Sequence, residues 1–179
     1  MRIFKKFAFL RDRVGYSRKL GVKIGRGCSI MGMHFPFGTE PYLVTIGDYV
    51  RINDGVRFFT HDGSVWVLRN LAGKECFPNE LKDIDLFGKI CIGSNVQIGS
   101  HALILPNVTI GDNVIIGAGA VVTRDIPSNS VAVGVPARVI GSIEQYYRKH
   151  SDDFMHTKNM DAAQKKNYIL SKINAQDGK

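Results

Sequence analysis

From Ile92 onward an aliphatic residue returns at every sixth position: Ile92, Ile98, Ile104, Ile110, Ile116 and Val122. Gly93, Gly99, Gly111 and Gly117 follow four of them. A shorter ladder lies upstream, with Ile24 and Ile30, then Ile46, Ile52 and Phe58. Neither the helical period of 3.6 nor the strand period of 2 places an aliphatic side chain at every sixth position with varied polar residues between. A unit of one short strand and one turn does, and stacked units of this kind form a parallel β-helix. The pattern therefore predicts an all-β fold. Three hexads close one triangular coil of about 18 residues, which stacks Ile92 beneath Ile110 and Ile98 beneath Ile116. Neighbouring coils pair as parallel strands about 4.8 Å apart. The recurring Gly-Asp-Asn and Gly-Ser-Asn fall at the prism corners, where tolerance of unusual backbone angles accounts for them.

The pattern also divides the chain. Residues 1–19 predict a helical cap, residues 20–140 a β-helix interrupted by an excursion at 62–89, and residues 141–179 a polar helical tail. The N-terminal stretch reads as one basic amphipathic helix with Phe4, Phe7, Ala8 and Leu10 on one face. Its apolar run is too short for a secretion signal, and Arg11 and Arg13 follow at once. Such a helix either packs on the body of the protein or lies on a membrane surface. A smaller interruption spans Met31 to Tyr42. The excursion carries Trp66, Val67, Leu68, Leu71, Phe77, Leu81 and Leu86. It is too apolar for a disordered linker and is expected to fold against the prism or a neighbouring subunit. Repeats then run without interruption to about Ile140. In the tail, Ile143, Tyr146 and Tyr147 are the expected anchors, with fraying at Asp177-Gly178-Lys179. The cap and the tail are the natural covers for the exposed edges of a prism.

Composition narrows the class. With 44% hydrophobic residues among 179, the chain suits one domain with a real core, and it holds no apolar run of about 18 residues. Cys28, Cys76 and Cys91 are far apart and form no CxxC. That predicts neither a disulfide framework nor a zinc knuckle, places the protein in a reducing cytoplasm, and makes each a small buried or neutral residue. The net charge of +8 suggests nucleic acid, but much of the excess lies in the terminal segments without an RNA-binding aromatic motif or a helix-turn-helix pattern. A polyanionic small ligand, an acidic glycan or an anionic membrane surface exploits the same field.

The stretch IGSNVQIGSHALILPNVTIGDNVIIGAGAVVTRDIPSNSVAVGVPARVI (Ile92 to Ile140) resembles the C-terminal half of the hexapeptide-repeat acyltransferases. Within them it is similar to galactoside and maltose O-acetyltransferases, nodulation acetyltransferases and streptogramin-type drug acetyltransferases. FGTEPYLVTIGDYVRINDGVRFFTHDGSVWVLRN (Phe37 to Asn70) resembles polysaccharide and O-antigen acetyltransferases. The match covers about residues 20–140. It implies a left-handed parallel β-helix, acetyl-CoA as acyl donor, and a homotrimer with active sites between subunits.

By position, the resemblance makes His61, just before the excursion, the catalytic base. Taken alone His61 reads as a turn histidine; for acyl transfer, an imidazole near neutral pH is a suitable proton acceptor. Its other ring nitrogen needs an acceptor that fixes the tautomer. Glu40 and the adjacent Asp62 are the candidates, Glu40 preferred, and either reads equally as a turn residue. The donor's pantetheine arm is expected along the small residues Gly99, Ser100, Gly117 and Ala118, and its nucleotide end near Thr123, Arg124 and Arg138. The bland alternative for the two arginines is a solvated basic face. Gln97 departs from the aromatic residue several relatives carry. Trp66 offers an aromatic face to a sugar acceptor, with packing as the alternative. His34, His61 and His101 lack HxxxxH zinc spacing, so no metal is expected; His150 and His156 read as exposed. These readings favour acetyl transfer to a sugar hydroxyl of a surface polysaccharide or its precursor, by direct attack without an acyl-enzyme. Drug acetylation, N-acetylation of an amino sugar and a non-catalytic scaffold stay open.

Overall fold

The computed structural model describes the backbone of residues 2–177 and the side chains of residues 7–174. Three parallel sheets form the faces of a prism. The first holds β1 (Lys23–Ile24), β3 (Val44–Ile46), β6 (Ile90–Ile92) and β9 (Thr109–Ile110). The second holds β2 (Ser29–Ile30), β4 (Arg51–Ile52), β7 (Val96–Ile98), β10 (Val114–Ile116) and β12 (Ser130–Val133), with β13 (Arg138–Ser142) at its edge. The third holds β5 (Arg57–Phe58), β8 (Leu103–Ile104) and β11 (Val121–Val122).

The hexad ladder sets the register. Ile24, Ile46, Ile92 and Ile110 pair in one column, Ile30, Ile52, Ile98 and Ile116 in a second, and Phe58, Ile104 and Val122 in a third. A second apolar residue, two positions ahead, is also buried in each late hexad: Val96, Ala102, Val108, Val114 and Ala120. Two inward residues per hexad therefore fill the prism, which is why one face of each short strand suffices to bury it.

The corners correct one expectation. The left-handed backbone falls on asparagine, with φ of 57° at Asn95 and 55° at Asn113. The preceding glycines answer a different need. A Cβ on Gly93 would lie 2.7 Å from the carbonyl carbon of Gly111, and coils stack too closely there to admit it. Side chains tie the same corner together. The Ser94 amide donates to Asp112 Oδ1 at 2.6 Å, Asn95 Nδ2 to Asn113 Oδ1 at 2.9 Å, and Asn113 Nδ2 to Asn129 Oδ1 at 2.9 Å.

Other expectations shift as well. The N-terminal segment forms two helices, α1 (Arg2–Arg11) and α2 (Arg13–Lys19). They break at Asp12, whose carboxylate accepts the Gly15 amide at 2.8 Å as an N-cap. Phe9 is the buried anchor and Phe7 is 69% exposed, so of the expected face Leu10 packs on the core while Phe7 and Ala8 do not; the Phe4 side chain lies outside the described residues. Phe9 and Tyr16 make edge contacts with Phe35, which continues to Phe37 and Phe58. The parallel repeats end at β12, and β13 turns back antiparallel instead of extending the ladder to Ile140.

Cys28 is half-buried, whereas Cys76 and Cys91 are exposed, so only the first approaches the expected buried role. The excursion forms a helix α3 (Val65–Leu71) and a 3-10 turn (Asn79–Asp83). Val65 is buried, but Trp66, Val67, Leu68 and Leu86 stay exposed rather than packing on this subunit's prism.

Residues 145–179 form a second compact unit. It contains most of α4 (Ile143–His150) and α5 (Ala162–Asp177). Tyr146 and Tyr147 are largely exposed, contacting His150 and Phe154 within this unit. His150 is half-buried and His156 exposed. Asp177 closes α5; Gly178 and Lys179 lie outside the described residues.

The corner packing makes a contrast testable by thermal denaturation. Gly93→Ala should destabilise the protein by about 1–3 kcal/mol, because backbone on the next coil must move. Gly63→Ala, with nothing within 4 Å of the added carbon, should change stability by less than about 0.5 kcal/mol. Equal effects would contradict the packing account.

Candidate active site

His61 sits where the third sheet ends and the excursion begins. The backbone there is pinned on both sides. Asp62 N–H donates to Leu86 O at 2.8 Å, Gly88 N–H donates to Thr60 O at 2.8 Å, and His61 bridges Phe87 in antiparallel fashion. The excursion thus leaves and returns at the histidine, and the Phe87 ring stands edge-on to the imidazole, centroids 6.2 Å apart.

Glu40 reaches this point from the earlier interruption. Its Oε2 lies 3.1 Å from His61 Nδ1 and accepts the Thr60 hydroxyl at 2.9 Å. Thr60 is buried and the Glu40 side chain is only 16% exposed, while the His61 side chain is 46% exposed. Hydrogen bonds from Thr39 first, then from Thr60 and His61, outweigh the opposing effect of burial. They hold the Glu40 carboxyl below its ordinary value. An ionised carboxylate only accepts, so the proton in the contact belongs to His61 Nδ1. In the neutral ring this tautomer places the lone pair on Nε2. Asp62 plays a different part. Its Oδ1 accepts the Ser64 amide at 2.8 Å in a tight turn, and hydrogen bonds from Ser64 lower its pKa.

A cleft of about 400 Å³ opens beside His61, lined by Phe35, Pro36, Thr39, Arg57, Phe59 and Thr60 among others. Its aromatic walls come from the 35–39 and 57–61 segments. The expectation had placed the acceptor contact on the excursion; Trp66, 67% exposed on α3, does not line the cleft. The FPFG stretch (Phe35 to Gly38), just before Glu40, was the available signal for these walls. Arg57 Nη1 donates to Phe35 O at 3.3 Å and so braces them.

The expected donor residues divide between two corners. Gly99, Ser100, Gly117 and Ala118 share the corner between the second and third sheets. Gly119 N–H donates to Ser100 O at 2.8 Å, and a Cβ on Gly99 would strike the Ala118 backbone. Among the described residues, no protein acceptor takes the amide protons of Ser100 or Ala118, so donors and small side chains coincide, as an extended amide-bearing arm requires. Arg138 pairs with Val133 nearby, exposed, and its Nη1 donates to Ala137 O at 2.9 Å. Thr123 and Arg124, also exposed, follow β11 and share the His61 corner, two coils and about 10 Å along the prism. One subunit therefore does not bring His61 and the small-residue corner together.

Gln97 faces outward on the second sheet, in register between Arg51 and Ile115. His101 is a corner residue with φ of 61°, its ring covering Gly55, and His34 is exposed. Among the described residues no group of three or more His, Cys, Asp or Glu side chains could hold a metal.

Comparison with known proteins places this geometry in a family. The bacterial transferase hexapeptide family, described as six repeats, matches residues 92–124. Protein CapG of Staphylococcus aureus is 46% identical over 157 residues, covering 87% of this chain and 86% of that protein. A maltose O-acetyltransferase structure from Clostridium difficile 630 superposes with a TM-score of 0.53 at 30% identity, covering 73% of this chain and 74% of the other. A galactoside acetyltransferase in complex with coenzyme A gives 0.51 at 30% identity, covering 84% and 76%. The chain belongs to the hexapeptide-repeat acyltransferases.

The Glu40 network makes acid stability a probe of the site. Because the folded-state pKa lies below the ordinary 4.5, the carboxylate's contribution is complete above that value and is lost as pH falls through the lowered one. Glu40→Gln should flatten the stability profile below pH 4.5 relative to the parent, read by chemical denaturation. Parallel profiles for the two proteins would refute the network.

Proposed function

We propose that this protein transfers an acetyl group from acetyl-CoA to a hydroxyl of a carbohydrate acceptor, a surface polysaccharide or its precursor. The observation that carries the reading is the contact between His61 Nδ1 and Glu40 Oε2, which presents Nε2 as a base at the edge of a cleft. The solved galactoside acetyltransferase holds coenzyme A, and the maltose relative is named for a sugar acceptor. Both support the assignment of donor and acceptor class. Acetyl-CoA supplies an activated thioester carbonyl.

The chain's own groups do the rest. Nε2 of His61 takes the acceptor's hydroxyl proton as that oxygen attacks the thioester carbonyl; the C–S bond breaks as the ester forms, coenzyme A leaves as its thiolate, and the imidazolium returns the proton to that sulfur. Glu40 holds the ring and stabilises the imidazolium that results. Thr60 and Thr39 keep Glu40 ionised and in place. Ser100 and Ala118 offer amide donors to the pantetheine arm, and Arg124 and Arg138 offer guanidinium groups to its phosphates. Phe35 and Phe59 supply the apolar walls for the acceptor.

The division of these groups between two corners supports a site completed by a second subunit, in line with the homotrimer expected of the family, while the likeness to the solved hexapeptide-repeat relatives supports the left-handed winding. The third sheet, which separates the corners, presents Leu103, Leu105, Val121 and Phe59 outward beside one cation, Arg57, whereas the first presents Lys23, Thr45, Cys91 and Thr109. An apolar sheet face of this kind is suited to self-association.

Two measurements check the reading. His61→Ala should lower turnover by about 10² or more in a thiol-release assay across free sugars, nucleotide sugars and streptogramin-type antibiotics, with coenzyme A affinity by calorimetry unchanged. Near-normal turnover would remove His61 as the base. Leu105→Glu should shift sedimentation from trimer toward monomer and abolish transfer; a trimer that persists would move the interface off the third sheet.

A further inference from the structure

The charge of the chain is concentrated at one end of the prism. Residues 1–39 contain nine of the 24 basic residues and only one of the 16 acidic ones, Asp12. The remaining fifteen of each sign cancel, so the whole net charge of +8 belongs to the helical cap and the first coil. Asp12 is itself occupied as the N-cap of α2. Some of the cations are engaged in holding the fold. Arg13 Nε donates to Gly32 O at 2.9 Å, Arg18 to the Ile24 and Gly25 carbonyls, and Arg26 pairs with Asp48 at 3.0 Å. Arg11 and Lys19 are not engaged in this way. Among the described residues their side chains make no hydrogen bond or ion pair, and they flank a cleft of about 340 Å³ between α1 and α2 with Ala8, Asp12 and Tyr16.

Apolar side chains accompany this charge. With Phe9 and Tyr16 packed against Phe35, the cap is held on the body, and two residues from Phe9, on the far side of α1, Phe7 is 69% exposed. Leu20, Met31 and Met33 of the cap and first coil are exposed as well, at 41%, 44% and 56%. Arg13 ties the Met31–Met33 segment to α2. Phe7 and Arg11, one turn apart on the side of α1 away from the buried Phe9, match the requirements of an interfacial anchor, and Leu20, Met31 and Met33 add exposed apolar groups in the segments that follow. The two readings of the N-terminal segment are thus not exclusive: one face of the cap packs and the other is presented.

We propose that the N-terminal cap docks this protein on an anionic lipid surface, Phe7 entering the headgroup region and Arg11, Lys19 and the neighbouring cations meeting lipid phosphates. This inference does not rest on the proposed acyl transfer. Its complementarity is specific in sign, since an acidic cap would be repelled by the same surface. Nucleic acid would satisfy the charge but not the exposed apolar residues.

Co-sedimentation of the full chain with phosphatidylglycerol-containing vesicles, and with pure phosphatidylcholine vesicles, tests the proposal. Binding should occur at low salt to the first only, and should fall steeply as salt is raised. Phe7→Ala, and separately the double variant Arg11→Glu/Lys19→Glu, should each weaken binding at least tenfold at an unchanged melting temperature. Absence of binding at low salt, equal binding to both vesicles, or full binding by either variant overturns it. Binding competed away by short DNA but insensitive to Phe7→Ala would point to nucleic acid instead.

Discussion

Everything in the prism depends on how closely one coil can lie on the next. The stacked strands fix the spacing, and the aliphatic columns inside it fill a cross-section too small for anything but two apolar side chains per hexad. At the corner between the first and second sheets the same spacing leaves no room for a Cβ after the isoleucine, so Gly93 packs against the Gly111 backbone. The turn still needs one left-handed residue, and asparagine supplies it two positions later, with its side-chain amide bonded to the next asparagine above. At this corner Gly93 and the asparagines answer separate constraints, one of distance and one of dihedral angle.

A scaffold this regular has little freedom to host chemistry within its repeats. The proposed base and its partner both lie where the ladder is interrupted: Glu40 in the 31–42 segment, His61 just before the 62–89 excursion. Coil stacking brings the two interruptions together. The first also supplies Phe35 and Phe37, so an unbroken line of aromatic contacts runs from Phe9 of the cap through Phe35 to Phe58 beneath the cleft. The cap therefore supports the wall of the site as well as covering the end of the prism.

The columns Ile92–Ile110 and Ile98–Ile116 were legible because hexad spacing converts directly into register. Other features were less legible, for physical reasons. Whether Phe7 or Phe9 faces inward depends on where the helix meets the body, and period alone leaves that phase free. The sequence prefers Glu40 to Asp62 as the partner of His61 only weakly; the turn in which Asp62 accepts from Ser64, and the contact Glu40 makes with His61, separate them. The ladder's end was overestimated because β13 keeps apolar residues (Val139, Ile140) while reversing direction, and both are exposed. Trp66 was the conspicuous aromatic residue, yet Phe35 and Phe59 form the cleft because they flank the stacked coils themselves.

The placement of the donor residues carries the last step. Inward residues of each strand are spent on the core, so ligand contacts fall to corners and outward faces. Small residues with open amides collect at the corner after the second sheet, while His61, the proposed base, stands at the corner after the third. Within one prism a full sheet width lies between them, and no movement of a rigid β-helix closes that gap. A second prism laid against the third sheet can bring its own corner to the first one's histidine. Assembly would then be a condition of the chemistry and not an addition to it, and the apolar residues on that sheet would be held there by the same requirement that keeps His61 at its edge.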